Sequence, residues 1–320
     1  MNYKGLDLHN IQDVIEVDGY EYLSRLPREL HEALNHTKGF QMTGVEIRLI
    51  PREPVTITIG SNQPYIQSKA LISYDGHYDP EEILINEETK IIVNPVYALT
   101  EDFNENVEVR VVLTGEHIYI KDVEGEFDLF EDKRKRYLAY GTSITQGLFT
   151  NQAEGAYPYL LGRSLDYDVH NYGMSGRAYC EQQTADFLCG LGDFDLITLE
   201  LTVNMFTDGF DIEVYKERVD NLIRQLHERH PDTYIFCIGI MPFYNDFGIR
   251  HPEQKNDSTE TEFREAYIKI IEDIDEAKVI FIEPSTLISK KNLCVDIIHP
   301  TSTGMYEIAY NLKAIIEPYL

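Results

Sequence analysis

The hydrophobic residues of this 320-residue chain change their spacing once, near residue 131, and no single layer architecture accommodates both patterns. From about residue 40 to residue 128 they alternate with polar residues, the two-residue period of strands buried on one face. Val45, Ile47 and Leu49 interleave with Glu46 and Arg48, and Val55, Ile57 and Ile59 with Thr56 and Thr58. Val107, Val109 and Val111 do the same with Glu108 and Arg110. Turn-forming clusters such as Gly60-Ser61-Asn62-Gln63-Pro64 keep these runs short, and Pro27 to Asn35 before them reads as one short helix. Many short strands with turn signals predict an antiparallel β-sandwich over residues 1–131.

From residue 132 to 320 short apolar runs take turns with helical stretches. The runs are Tyr137 to Tyr140, Val169 to Tyr172, Leu196 to Leu201, Tyr234 to Ile240 and Val279 to Ile282. Between and after them, helices are predicted over Tyr157–Leu165, Ala178–Leu191, Ile212–Arg229, Thr259–Ala277 and Met305–Ile316. In the third, Val219, Leu222, Ile223 and Leu226 share one face. In the fourth, Thr259 and Glu262 have the spacing of a capping box. Alternating β and α elements predict a parallel sheet covered by helices on both faces.

The formal charge is −27, from 55 acidic against 28 basic residues, which repels a phosphate backbone. The one basic cluster, Lys133-Arg134-Lys135-Arg136, lies where the pattern changes and reads as a solvated linker. Nucleic acid is therefore not an expected partner. No run approaches the roughly 18 apolar residues of a membrane span. The first residues lack a basic start followed by an apolar stretch, so no signal peptide is read. Four cysteines without CxxC spacing suit reduced, buried thiols, and the expected location is cytoplasmic.

In a parallel sheet of this kind, ligands bind beyond the carboxyl ends of the strands, so the residues after each apolar run carry the chemistry. After the first stand Gly141-Thr142-Ser143-Ile144-Thr145, where Gly141 permits a tight turn and Ser143 sits at a strand-to-helix junction. It is not the GxSxG elbow, because position 145 is Thr. Alone, Gly-Thr-Ser is more often a helix cap than a nucleophile. After the second run, Asn171-Tyr172-Gly173-Met174-Ser175-Gly176 offers amides that can approach a ligand, or equally a turn that needs positive φ. The third ends in Glu200-Leu201-Thr202-Val203-Asn204; the Asn204 amide can donate to an oxyanion or cap the next segment. Near the C-terminus, Asp296 and His299 stand three apart, close enough to touch on a turn. A lone Asp-x-x-His usually means a surface ion pair, but here Ser, Gly, Asn and Asp-x-x-His each follow the right element in order.

These four blocks resemble those of the SGNH (GDSL-like) hydrolases over about residues 137–320, most sharply in Asp296-Ile297-Ile298-His299-Pro300. The resemblance implies Ser143 as nucleophile, His299 as general base and Asp296 orienting it. It also implies an oxyanion hole of the Ser143 and Gly176 amides with the Asn204 side chain. The implied fold is α/β, a flavodoxin-like three-layer αβα domain around five parallel strands, with no cofactor or metal. Two departures stand out: Thr142 replaces the Asp of Gly-Asp-Ser, and the third block has Thr202 in place of the usual Gly and lacks its Asp after Asn204. The Gly-x-Ser-Ile-Thr-Gln-Gly start is similar to a subgroup with an N-terminal, jelly-roll-like β-sandwich that includes carbohydrate esterases and a polyketide acyltransferase.

The expected activity is therefore serine-dependent hydrolysis of a short, acetyl-like O-acyl ester on a small molecule or oligosaccharide. An acyltransferase with the same residues is one alternative. A non-catalytic carbohydrate-binding protein is the other, disfavoured by the intact Ser143, Asp296 and His299. His227 and His230 have no further ligand at fitting spacing and read as a solvated helix end. Gly190-Leu191-Gly192 precedes a strand and reads as a helix stop. Phe243 to Asp257 is long for a connection at the carboxyl edge and is expected to wall a substrate pocket.

Overall fold

The structure is a computed structural model that describes all residues except 64–65, 95–106, 151–153, 250–254 and 257. It divides into two compact units, Met1–Lys133 with Gln152–Glu154, and Arg134–Asn151 with Gly155–Leu320.

The first unit is built from two antiparallel sheets. Strand Gln41–Pro51 lies between Leu6–His9 and Val109–Glu116, and Val109–Glu116 pairs on with Ser68–Tyr74. In the second sheet Val55–Ser61 sits between Thr89–Val93 and Ile118–Glu124, followed by Tyr20–Ser24 and Asp13–Val17. The alternating residues of both sheets meet in one core: Val45, Ile47, Leu49, Val55, Ile57, Ile59, Val109 and Val111 are all fully buried within it. That shared core makes the unit a sandwich.

Two expectations for this unit need correcting. Alternation is expected from about residue 40, yet four strands already lie between Asn2 and Ser24. Their turns are Lys4-Gly5 and Asp18-Gly19, both pairs at positive φ, the geometry of tight hairpins. Glu46 and Arg48 were expected on a solvent face but are 3% and 4% exposed. Arg48 Nε donates to Glu46 at 2.7 Å, and Asp132 lies 3.4 Å from Arg48 and 3.1 Å from Arg110. Buried charges persist when paired in this way.

The second unit holds five parallel strands in the order Tyr167–Gly173, Lys135–Gly141, Leu196–Glu200, Tyr234–Ile238, Val279–Ile282. The chain thus turns back once, beside its first strand, giving the flavodoxin-like 2-1-3-4-5 order with its switch point at the carboxyl end of Lys135–Gly141. Helices Tyr157–Leu165 and Ser302–Ile316 pack together and share a core with Tyr137 and Ala139. Helices Gln182–Gly190, Ile212–Arg229 and Glu260–Ile274 form a second row in which each packs on the next. The result is a three-layer αβα domain.

Local chemistry explains the helix bounds. Asp211 caps Ile212–Arg229 by accepting from Glu213 N at 2.9 Å, and Val219, Leu222, Ile223 and Leu226 are its buried stripe. Thr259 and Glu262 make the capping box, and helix Gln182–Gly190 stops at the expected glycine. The basic cluster is not simply a solvated linker: Lys135 and Arg136 open the first strand. Arg136 lies 4.5 Å over Phe194 and donates to the Asp193 carbonyl at 2.8 Å. Nor is the end of the third long helix solvated, since His230 is 4% exposed and packs against Phe194, while His227 lies 3.5 Å from Glu276. Among the described residues no helix is long and apolar enough to cross a membrane.

Candidate active site

Strand Lys135–Gly141 ends at the switch point and runs directly into the short helix Ser143–Gln146. The helix cap is Thr142, whose Oγ1 accepts from Ile144 N at 3.3 Å. Ser143 is therefore the first helical residue, and its hydroxyl is not used in capping. It lies 2.7 Å from His299 Nε2. The capping alternative for Ser143 is thereby answered: the neighbouring threonine does that work.

His299 comes from a loop closed by a bridge between Leu293 and Pro300 and by the bond from Cys294 N to the His299 carbonyl at 2.7 Å. Asp296 Oδ1 accepts from the backbone N–H groups of Ile298 and His299, both at 3.1 Å. Its Oδ2 lies 2.7 Å from His299 Nδ1. Burial alone would raise the Asp296 carboxyl, but these hydrogen bonds from His299 and Ile298 outweigh it and hold the group below its usual value. The contact with Nδ1 makes that nitrogen the proton carrier and leaves Nε2 facing the Ser143 hydroxyl as acceptor. Ile297, at φ 52°, takes the left-handed conformation that lets the turn bring both side chains together.

The second and third blocks are stitched to this turn. Asn171 donates to the Thr145 carbonyl at 2.8 Å, Met174 N to the Gly141 carbonyl at 2.9 Å, and Ser175 N to Gln146 Oε1 at 2.7 Å. A Cβ on Gly173 would come within 2.2 Å of Gln146 N, so only glycine permits this approach. Gly176 adopts φ 65° with open space around it. Asn204, on helix Val203–Thr207, donates through Nδ2 to the Arg177 carbonyl at 2.6 Å, which ties it to the Gly176 turn. An amide nitrogen carries two N–H groups, so one remains for another acceptor. Thr202, where glycine is usual in such a block, stands at φ 94° with its hydroxyl 2.8 Å from the buried Tyr215 hydroxyl.

Sequence reasoning missed two neighbours. Glu200 is fully buried, and its Oε2 accepts from Thr142 N at 2.9 Å, Thr142 Oγ1 at 2.6 Å and Thr145 Oγ1 at 3.1 Å. Burial pushes its carboxyl up to about 7 despite these donors, and Oε1 has no partner among the described residues. The available signal was a lone acid closing an otherwise uncharged buried strand, Leu196–Glu200. Phe149 stands beside His299, their ring centroids 5.1 Å apart and nearly perpendicular. No periodicity marks an exposed loop residue of this kind.

Of the long connection, residues 250–254 and 257 lie outside the described residues. Asn256 donates to the Phe206 and Phe210 carbonyls at 3.3 and 2.9 Å, holding the end of the helix that carries Asn204.

The sequence profile of the GDSL-like lipase/acylhydrolase family matches residues 134–317, more than half of the chain. The chain belongs to that family. Its members are ester hydrolases, and so is this enzyme. No curated protein matches the chain. Among solved structures, the salicylyl-acyltransferase SsfX3 from a tetracycline biosynthetic pathway is similar at a TM-score of 0.79 and 15% identity, covering 98% of this chain and 94% of that one. A family two carbohydrate esterase from Clostridium thermocellum, solved with cellohexaose, is similar at 0.59 and 18%, covering 87% and 93%. The acetyl xylan esterase Est2A from Butyrivibrio proteoclasticus gives 0.59 and 14%, covering 88% and 91%. At these identities the likeness is one of fold, and it extends over the β-sandwich as well as the hydrolase domain of this family member.

Proposed function

We propose that this GDSL-like enzyme hydrolyses a short, acetyl-like O-acyl ester on a carbohydrate through an acyl-enzyme on Ser143. The observation that carries the reading is the unbroken chain from Ser143 Oγ to His299 Nε2 and from His299 Nδ1 to Asp296 Oδ2, each contact 2.7 Å. Ser143 Oγ attacks the ester carbonyl as His299 Nε2 takes its proton, and Asp296 stabilises the imidazolium. The developing oxyanion is met by the Ser143 and Gly176 amides and the second N–H of Asn204. A donor of this kind contributes about 2.7–4 kcal/mol to lowering the barrier. His299 then protonates the departing alcohol, and a water activated by the same nitrogen releases the acid. The acetyl group and the sugar rest on the carbohydrate and xylan esterases of similar fold. Four free cysteines suit a reducing, cytoplasmic setting.

An acyltransferase reading has its own support, because the acyltransferase of similar fold aligns over nearly the whole chain at 0.79. There an acceptor alcohol replaces water in the second step, with the residue roles unchanged.

The test is hydrolysis of acetyl, butyryl and octanoyl esters by the intact protein and by Ser143→Ala. Loss of activity on the order of 10⁴-fold or more in the variant is expected, and undiminished activity refutes the mechanism. Products analysed with and without sugar alcohols separate hydrolysis from transfer.

A further inference from the structure

We propose that Phe149 forms the alcohol-side subsite of this enzyme and receives the face of a ring alcohol, such as a pyranose, whose ester is cleaved. The inference rests on the proposed Ser143–His299 relay.

Phe149 is exposed, holds a costly backbone conformation and stands beside His299. Among the described residues it is the only phenylalanine largely open to solvent, at 57% exposure. Its φ is 66°, a conformation that costs a bulky residue free energy and gives it no intrinsic benefit. The turn is nevertheless well tied. Gly147 ends the Ser143–Gln146 helix at φ 87°, Leu148 N donates to the Ser143 carbonyl at 2.9 Å, and Thr150 N to the Gly147 carbonyl at 3.2 Å. These bonds fold the chain back over the helix that begins with Ser143 and bring the Phe149 ring to the imidazole.

The reaction brings the alcohol half of the substrate to His299, beside that ring. In the first step the Ser143 Oγ–carbon bond forms and the carbon–alcohol oxygen bond breaks. The proton taken from Ser143 by His299 Nε2 passes to the alcohol oxygen, so that oxygen must come within about 3 Å of Nε2. The carbonyl oxygen faces the oxyanion donors instead. A ring 5.1 Å from the imidazole centroid is near enough to meet the carbons that follow the alcohol oxygen, and there we place it. Its polarised π face suits the C–H groups on one side of a sugar ring, and its exposure leaves room for them.

The test holds the acyl group at acetyl and varies the alcohol: ethyl acetate, cyclohexyl acetate and an acetylated methyl xyloside. A second arm holds ethyl and compares acetate with butyrate. For Phe149→Ala, the preference for the two ring esters over ethyl acetate, read as the ratio of kcat/KM values, should fall roughly 10-fold, while the acetate-to-butyrate ratio on the ethyl esters stays within about twofold of wild type. Phe149→Tyr should keep the ring esters near wild type. Phe149→Gly, which relieves the backbone at φ 66°, should reproduce the Ala pattern with an unchanged or higher melting temperature. An equal loss on every ester, a loss that follows acyl length, or no loss at all would overturn the inference while leaving the relay standing. Wild-type hydrolysis that survives Ser143→Ala would instead remove the relay, and this subsite with it.

Discussion

The turn beneath Ser143 and the loop that carries His299 each hold one carboxylate, and they hold it in opposite ways. Glu200 is sealed under the turn, with three donors on one oxygen and none on the other, and burial pushes it up to about 7. Asp296 stands on an exposed loop, its donors divided between both oxygens, and is held below its usual value. Burial decides the difference. At Glu200 full burial outweighs three donors, whereas at the partly exposed Asp296 the donors outweigh burial. The rim carboxylate is fit for electrostatic work on a charged imidazole, while the buried one is fit to fix a backbone.

The sharpest way to break this division is at the rim. His299→Ala is expected to lower kcat by on the order of 10⁴-fold or more, and Asp296→Asn by about 10³- to 10⁴-fold. Both should melt within about 3 °C of wild type, because the residues they alter sit on an open loop rather than in a core. Ester turnover and a thermal melt on the same samples check this. A melting point lowered by ten degrees would mean that the loop carries the fold as well as the chemistry.

Glu200 should behave in the reverse sense. Glu200→Ala takes the buried acceptor from the Thr142 amide and hydroxyl and leaves Thr145 with only the Tyr157 hydroxyl, so it should destabilise the domain by about 2–4 kcal/mol, with a smaller fall in kcat than either rim variant. The pH dependence has a definite sign. Because the folded group is raised from 4.5 to about 7, its stabilising contribution is complete below about pH 4.5 and is lost as pH rises through 7. That loss is on the order of 3 kcal/mol. Asp296, being lowered, contributes above 3.8 and loses its contribution as pH falls. Denaturant titrations of wild type and Glu200→Gln between pH 4.5 and 7.5 should therefore diverge, with the Gln variant losing the decline toward neutrality. Parallel curves would refute the assignment.

The same division separates what could be read in the sequence from what could not. The five runs, the helix from Ile212 to Arg229 and the order of the blocks were legible, because each rests on local spacing that one element sets by itself. The pairing of Ser143 with His299 was legible only through block order, since 156 residues separate them. Glu200 was hidden in plain view: a strand pattern reports that position 200 is inside but not that Thr142 and Thr145 converge on it. Glu46 and Arg48 misled for a related reason. Alternation assigns them to the outer face, and it cannot report that Asp132 of a later segment pairs with Arg48 and Arg110 there. Phe149 left no trace because its meaning lies in its distance from an imidazole.

The smallest expected effect tests whether the turn region is strained as well as sealed. Thr202 follows the Glu200 strand at φ 94°, a conformation that costs a residue with a Cβ about 1–3 kcal/mol. Its hydroxyl offsets part of this by pairing with the buried Tyr215 hydroxyl at 2.8 Å. Thr202→Val keeps the strain and strands the tyrosine, so it should lose about 1–3 kcal/mol. Thr202→Gly strands the same hydroxyl but releases the backbone, and the two changes should cancel to within about 1 kcal/mol. Glycine should therefore be the more stable replacement although it removes more atoms, with the ranking read from paired denaturant curves. If valine is the more stable, the Thr202 backbone is unstrained and Asn204 is positioned by its bond to the Arg177 carbonyl alone.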